Sequence, residues 1–253
     1  MRKMPRMQSV PSKLKKTAVL WENDRIRPYI PESQAYSRKE VINMLQRHGF
    51  VFLKPDIGGG GKGVVKLTPA KRGVICQTLN GRRELPVQRA FKWIEQEIIS
   101  GRNYMAQQGI QMAKVDERNV DFRVHLQKPQ NDWLITGFCA KLAPPGGLVT
   151  NHCRGGTPLD ASEVIKRISH SVGKKEKTLK KEIYAVSKEI AKTLNKRFTG
   201  LKELGIDLTV DENGKIWIFE VNTAPVIKMF ECLKDKTAYQ QINQIRYQMS
   251  AES

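Results

Sequence analysis

The stretch Phe50 to Leu67, FVFLKPDIGGGGKGVVKL, ends an apolar run on Lys54 and Pro55 and then puts glycine at five of the next eight positions. Glycine loses more backbone freedom on ordering than any other residue. Lysine is among the residues least often buried. A fold that keeps this stretch has to offset both costs. FVFLK and VVKLT both read as strands, so the stretch reads as a hairpin with a long glycine-rich turn. Two readings of that turn stand. In one, its backbone N–H groups approach phosphates closely and Lys54 projects toward the same phosphates. In the other it is a surface turn with a solvated lysine.

Three nucleotide motifs pass through these residues and none is complete. Gly58, Gly60 and Gly63 satisfy G-x-G-x-x-G. A dinucleotide fingerprint needs a helix after the glycines, and a β-rich VVKL follows them instead. A Walker loop needs a glycine six residues before Lys62 and a hydroxyl after it, where Asp56 and Gly63 stand. With Val65 the kinase pattern is met, but H-R-D and D-F-G occur nowhere in the chain.

A second stretch, GIDLTVDENGKIWIFEVNTAP, reads as a hairpin turning at Asn213-Gly214. Asp207 lies on its first strand, Glu220 and Asn222 on its second. Strict alternation puts Ile216, Ile218, Glu220 and Asn222 on one face, which turns from apolar to polar at the strand's end. Cross-strand pairing brings Asp207 toward the same place. Two carboxylates and an amide carbonyl form a hard oxygen cluster suited to Mg²⁺ held against nucleotide phosphates. The plainer alternative is an outward-facing acid on a half-exposed strand, although an acid inside IWIFEV is costly unless paired or metal-bound.

Around these hairpins the pattern is mixed. IRPYIPES (26–33) reads as extended. Ser37 reads as the N-cap of a helix over RKEVINMLQRH, with Glu40 three residues on and Gly49 ending it. A helix is expected over 88–99, a strand over 103–110, and alternating strands over DFRVHLQK, WLITGFCAKL and the residues around LVTN. Lysine-rich helices are expected from Ala161 to Phe198, broken near Gly173, and a helical tail from Lys228. Strand and crossover helix do not alternate regularly, which disfavours a doubly wound sheet. The basic N-terminus, MRKMPRMQSVPSKLKK, has no apolar core, so it reads as a frayed arm and not as a secretory signal.

Composition bounds the function classes. The 253 residues carry a formal net charge of +19, which favours a polyanionic partner. Aromatic residues make up only 7% and no zinc-finger or RNP-type motif occurs, so phosphate affinity is better supported than base readout. No apolar run is long enough to span a bilayer. Four dispersed cysteines without C-x-x-C argue against a disulfide framework and fit a reducing cytoplasm. His152 beside Cys153 lacks the further ligand pair that a zinc site needs.

The lysine-proline strand with its glycine hairpin, the stretch MAQQGI, and the late G-I-D…E-V-N…P block stand in the order used by the ATP-grasp superfamily. With RPYIPES, DFRVHLQK and VTNHCRGG, the chain resembles the YheC/YheD family of endospore coat-associated ATP-grasp proteins over about residues 12 to 230. The resemblance implies an α+β ATP-grasp fold of two lobes with nucleotide in the cleft between them. The expected division is a basic arm over 1–20, a smaller lobe over 21–110, and a larger lobe over 111–253. Lys54 would contact the phosphates, and Gly58, Gly59, Gly60, Gly61 and Gly63 would close over them. Gln107, Gln108, Gly109 and Ile110 would form the hinge that meets adenine. Arg123 and Arg154 would face the γ-phosphate or the acyl phosphate, and Asn151 with Gly155 and Gly156 would line the acceptor side. Asp207, Glu220 and Asn222 would hold one or two Mg²⁺.

The resemblance further implies ATP- and Mg²⁺-dependent joining of a carboxylate to an amine through an acyl phosphate, and association with the spore. A further ATP-contacting lysine is expected from before the grasp, with Lys13, Lys15 and Lys16 as candidates, because such proteins usually carry another domain there. The lysine-rich helices from Lys166 to Arg197 suggest an acidic or polymeric substrate. Two other classes stay open: a non-catalytic coat or scaffold protein that keeps the fold, and a charge-driven nucleic-acid-binding module.

Overall fold

The computed structural model describes residues 8–144, 147 and 156–251. Two antiparallel sheets dominate. The first has strand order β1-β6-β2-β3-β4-β5, built from Ser33–Ala35 (β1), Val51–Pro55 (β2), Val65–Ala70 (β3), Gly73–Thr78 (β4), Gly81–Leu85 (β5) and Tyr104–Gln108 (β6). The second has order β10-β9-β8-β11-β12. Its strands are Arg118–Gln127 (β8), Leu134–Leu142 (β9), Thr157–Asp160 (β10), Glu203–Val210 (β11) and Ile216–Asn222 (β12), with the short Lys114–Val115 (β7) paired to β8.

The glycine stretch is the expected hairpin: Val51, Phe52 and Leu53 pair with Leu67, Lys66 and Val65. Arg38–His48 (α2) covers the first sheet with Val41, Met44 and Leu45. Ser37 caps it by accepting from the Glu40 N–H at 3.2 Å, and Gly49 ends it at φ +75°. Val87–Trp93 (α3) runs on as a π-helical turn over Ile94–Ile99. Strands β4 and β5 extend this sheet, and nothing in the sequence reading anticipated them. IRPYIPES is not extended throughout, since Arg27–Tyr29 forms a 3₁₀ turn with Pro28 in its first turn.

The second sheet packs one face against Ala161–Ser171 (α4) and Glu176–Arg197 (α5), the two expected lysine-rich helices. Residues 228–251 are helical in two pieces, Lys228–Glu231 (α6) and Thr237–Ala251 (α7), which pack on the opposite face through Phe230 and Ile242. No helix among the described residues is long and apolar enough to cross a membrane.

Three expectations are corrected. The N-terminal segment is not a frayed arm from residue 8 onward. Lys13–Trp21 (α1) is a capped helix, and Val10 and Leu20 are buried in the larger core. Ile26 and Ile30, expected in the smaller lobe, join that same larger core. Strict alternation on β12 also fails. Asp207 pairs with Glu220 while Leu208 pairs with Ile218, so Phe219 is an extra residue in a β-bulge. The bulge shifts the phase: Ile216, Ile218 and Val221 face the core, and Glu220 and Asn222 part from the two isoleucines. The strand expected around LVTN falls on residues 148–151, which lie outside the described residues.

Candidate functional site

A cleft of about 700 Å³ separates the two sheets. The glycine hairpin forms one wall, and part of one face of β8, β9, β11 and β12 forms the other. Period two explains which residues the second wall offers. Asp121 and Arg123 sit two apart on β8, and Lys141 stands opposite Asp121 on β9. Asp207 stands opposite Arg123 on one side and Glu220 on the other. Their neighbours Val120, Phe122, Val124, Ile206 and Leu208 point the other way, into the core.

Asp207 is the hub of this wall. Arg123 grips it with both arms, Nε to Oδ1 at 2.9 Å and Nη2 to Oδ2 at 2.8 Å. Lys141 Nζ donates to Oδ1 at 2.7 Å and Asn222 Nδ2 to Oδ2 at 3.2 Å. Lys141 also pairs with Asp121 at 3.1 Å. Gly205 leaves room for this arrangement: a Cβ there would lie 3.0 Å from Arg123 Nη1 and 2.7 Å from Pro225 Cβ. Burial opposes the charge on Asp207, but Arg123 and Lys141 outweigh it and hold the carboxyl well below the usual range. Burial likewise opposes the charges on Arg123 and Lys141, and the facing carboxylates raise both above their ordinary values.

The facing wall is lighter. Lys54, at the end of β2, donates to Gln107 Oε1 and lies 5.4 Å from the Phe219 ring and 5.7 Å from the Phe52 ring. Burial pushes its ammonium down to about 8, with Glu220 opposing that shift. The loop root is held from below by α1. Asp56 Oδ1 accepts from Ser12 Oγ at 3.0 Å and from the Leu14 N–H at 2.8 Å, and its carbonyl accepts from the Lys13 N–H at 3.0 Å. Lys13 Nζ then reaches the Gly58 carbonyl at 2.7 Å and Glu220 Oε1 at 3.5 Å, spanning the two walls. At the loop's far end Gly63 (φ +77°) packs against Tyr104, whose hydroxyl donates to the Gly63 carbonyl at 3.1 Å.

Most of the expected residues meet here. Lys54, Gly58, Gly59, Gly60, Gly61, Ile110, Arg123, Asp207, Glu220 and Asn222 all line the cleft. Gly63, Gln107, Gln108 and Gly109 stand behind its surface. Gln107 orients Lys54, Gln108 accepts from the Glu32 N–H at 3.2 Å, and Gly109 makes room for the Phe50 ring. Of the early lysines, Lys13 lines the cleft. Lys16 turns to the Val10 and Pro11 carbonyls, and Lys15 is exposed. Asn151, Arg154 and Gly155, like His152 and Cys153, lie outside the described residues, and Gly156 is described as buried.

Sequence reasoning passed over Asp121 and Lys141. The signal was there: a lysine inside the apolar strand WLITGFCAKL, and an acid two residues before Arg123. Cys139, on the strand beside them, is fully buried, and burial pushes its thiol up to about 12, which opposes thiolate formation.

The donor chemistry of Asp207, Glu220 and Asn222 suits a hard cation. Among the described residues no group of three acids, histidines or cysteines gathers. Asp207 accepts four hydrogen bonds, which fills its lone-pair sites. A cation seated on Asp207 has to take the place of one of them, whereas Glu220, among the described residues, meets Lys13 at the longer 3.5 Å.

Comparison with known proteins places this geometry. A family model described as YheC/D like ATP-grasp matches residues 7–250. The endospore coat-associated protein YheD of Bacillus subtilis (strain 168) is 26% identical over 220 residues, 84% of this chain and 48% of that protein. YheC of the same organism is 26% identical over 212 residues, 81% of this chain and 57% of that protein. The chain thus spans about half the length of these curated relatives. Among solved structures, D-cycloserine synthetase DcsG has a TM-score of 0.57 at 12% identity, over 94% of this chain and 70% of that one. D-alanyl-alanine synthetase A from Vibrio cholerae O1 biovar eltor also has a TM-score of 0.57, at 13% identity, over 96% of this chain and 65% of that one. At such identities these two structures speak to the fold.

Proposed function

The chain belongs to the YheC/D-like ATP-grasp family, and on that premise we propose that it is an ATP- and Mg²⁺-dependent carboxylate–amine ligase. One observation carries the reading. Lys54, Arg123 and Lys141 converge with Asp207 and Glu220 on one cleft, and the other wall of that cleft is a glycine loop. The fold shared with two synthetases supports the same class.

In this reading ATP lies between the walls, with its adenine toward Ile110 and Phe219 and its phosphates toward Lys54 and Lys13. The glycines at 58–61 offer backbone N–H groups to the phosphates. Asp207, Glu220 and Asn222 would hold Mg²⁺, with Asp207 giving up one of its hydrogen bonds, and the ion would neutralise phosphate charge. A substrate carboxylate attacks the γ-phosphorus, the bond to the β,γ-bridging oxygen breaks, and ADP leaves. An amine then attacks the acyl carbon of the acyl phosphate, and inorganic phosphate leaves as the amide forms and the amine gives up its proton. Arg123 and Lys141 face the charge that develops on the transferred group. Neither step needs a protein nucleophile. The chain's part is positioning and charge neutralisation, which fits a cleft rich in fixed cations. Arg154 is proposed beside Arg123 at the transferred phosphoryl group, and Asn151, Gly155 and Gly156 for the acceptor side.

The names of the curated relatives favour a spore-coat location, and with it a second reading, a coat protein that keeps the fold without turnover. ADP release from Mg²⁺-ATP, measured with mixed carboxylate and amine pools, separates the two. The ligase reading expects release that falls by about a hundredfold or more in Glu220→Ala, with the fold intact by circular dichroism. Undiminished release in that variant overturns the metal assignment, and no release by the wild type favours the coat reading.

A further inference from the structure

The cleft uses only half of one face of the second sheet. Along β8, Asp121 and Arg123 face the cleft. The same alternation continues to His125 and Gln127, which are fully buried and carry a second set of polar groups. On β11 the sequence is the same: Asp207 in the cleft, Gly205 at the border, and Glu203 buried. The helices α6 and α7 cover this second half, where Phe230 lies edge-on to the His125 ring.

The covered groups are tightly connected. His125 Nδ1 lies 2.9 Å from Thr136 Oγ1, and its Nε2 lies 2.9 Å from Glu203 Oε1. Gln127 Nε2 donates to Glu203 Oε1 at 3.3 Å and to the Ile242 carbonyl at 3.1 Å. Arg246, on α7, forks onto Glu203 with Nε at 2.9 Å and Nη2 at 3.0 Å. Burial holds His125 below its ordinary value; burial also opposes the charge on Glu203, but the hydrogen bonds from His125 and Arg246 outweigh it and hold that carboxyl below its ordinary value.

Arg246 has one more partner. Its Nη2 also donates to the Pro225 carbonyl at 3.1 Å. Pro225 lines the cleft, in the segment that follows Asn222, and packs over Gly205 beside the Arg123 guanidinium. One guanidinium therefore ties α7, the middle of the sheet and the wall of the cleft together. Three N–H groups of a planar, rigid fork fix that geometry in a way a single ammonium does not.

We propose that Arg246 is a positioning residue for the cleft: by holding Glu203 and the Pro225 carbonyl together, it sets the segment from Asn222 to Val226 and so the site's affinity for Mg²⁺-nucleotide. The inference rests on the proposed function for the identity of the ligand. It places control of the site in the docking of the C-terminal helix, whose Arg246 touches no cleft ligand itself.

The test compares wild type, R246A and R246K, with the exposed neighbour Y247A as control. Calorimetry measures ATP affinity with and without Mg²⁺, and amide hydrogen exchange follows residues 222–227. R246A is expected to weaken Mg²⁺-ATP binding about tenfold. It should leave Mg²⁺-free ATP binding within about twofold and speed exchange at 222–227 while β8 stays protected. R246K takes its place should R246A fail to fold, and is expected to change the same readings in the same direction, because it keeps the charge and loses the fork. A folded variant with wild-type Mg²⁺-ATP affinity and wild-type exchange overturns the inference. Wild type without Mg²⁺-dependent ATP binding overturns the proposed function instead, and the exchange comparison still decides whether Arg246 sets the segment.

Discussion

The two hairpins that face each other across the cleft are held by opposite means. In β11–β12 every residue of β11 is buried, and the central carboxylate has its lone-pair sites filled by neighbouring side chains. In β2–β3 the strands are anchored but the turn is mostly backbone. Gly59 has no heavy atom within 4 Å of where a Cβ would stand, and the loop is tied by α1 at Asp56 and Gly58 and by Tyr104 at Gly63. Charges that must be aimed stand on rigid strands. Donors that must approach a ligand stand on a segment that costs little to rearrange.

That contrast predicts unequal effects on stability. Asp207→Leu should be the most damaging change, because it strands Arg123 and leaves Lys141 with Asp121 alone in a buried place. Removing one partner of such a pair costs about 3–5 kcal/mol, which urea denaturation reads directly. The sign of the pH dependence follows from the depressed carboxyl. The stabilisation is fully present above the ordinary aspartate range near 3.9 and is lost as pH falls from there toward the folded value. A loss under about 1 kcal/mol would mean that the network behaves like a surface pair and that the second wall is not rigid.

On the glycine side the expected effect is smaller. Ser12→Ala removes a cap that accepts from the Lys15 N–H at 3.1 Å and donates to Asp56. Loss of such a cap costs about 1 kcal/mol. The same change should raise amide exchange at 56–58 while leaving β11 and β12 protected. Equal exchange in both hairpins would remove the distinction between them.

Much of the fold was legible because its signals are local. The Ser37 cap, the Gly49 stop, the Asn213-Gly214 turn and the break near Gly173 each act within a few residues. The anchoring of residues 8–30 was not legible, because Lys13 and Lys16 read only as part of a basic arm and as candidate ATP contacts until Gly58, Glu220 and the Val10 carbonyl are placed around them. The bulge at Phe219 was hidden for a similar reason. Alternation assumes an unbroken ladder, and the extra residue shows only in the pairing with β11. Within the site, Arg123 and Asp207 were found from motifs, whereas Lys141 needed the β8–β9 register to bring it to Asp121. Strands β4 and β5 carry no motif and a weak pattern, and they form through pairing with β3.

The central claim is that a nucleotide's phosphates lie between Lys54 and the carboxylate hairpin, and proton-coupled calorimetry tests it most directly. Burial lowers Lys54 to about 8, so near pH 8.5 much of it is neutral in the free protein. Phosphate placed beside it favours the charged form. Binding of Mg²⁺-ATP at pH 8.5, measured in buffers of different ionisation enthalpy, is therefore predicted to take up a fraction of a proton. The uptake should fade below pH 7 and vanish in Lys54→Met together with most of the affinity. Binding of equal strength in Lys54→Met, with the same proton balance at both pH values, would contradict the account.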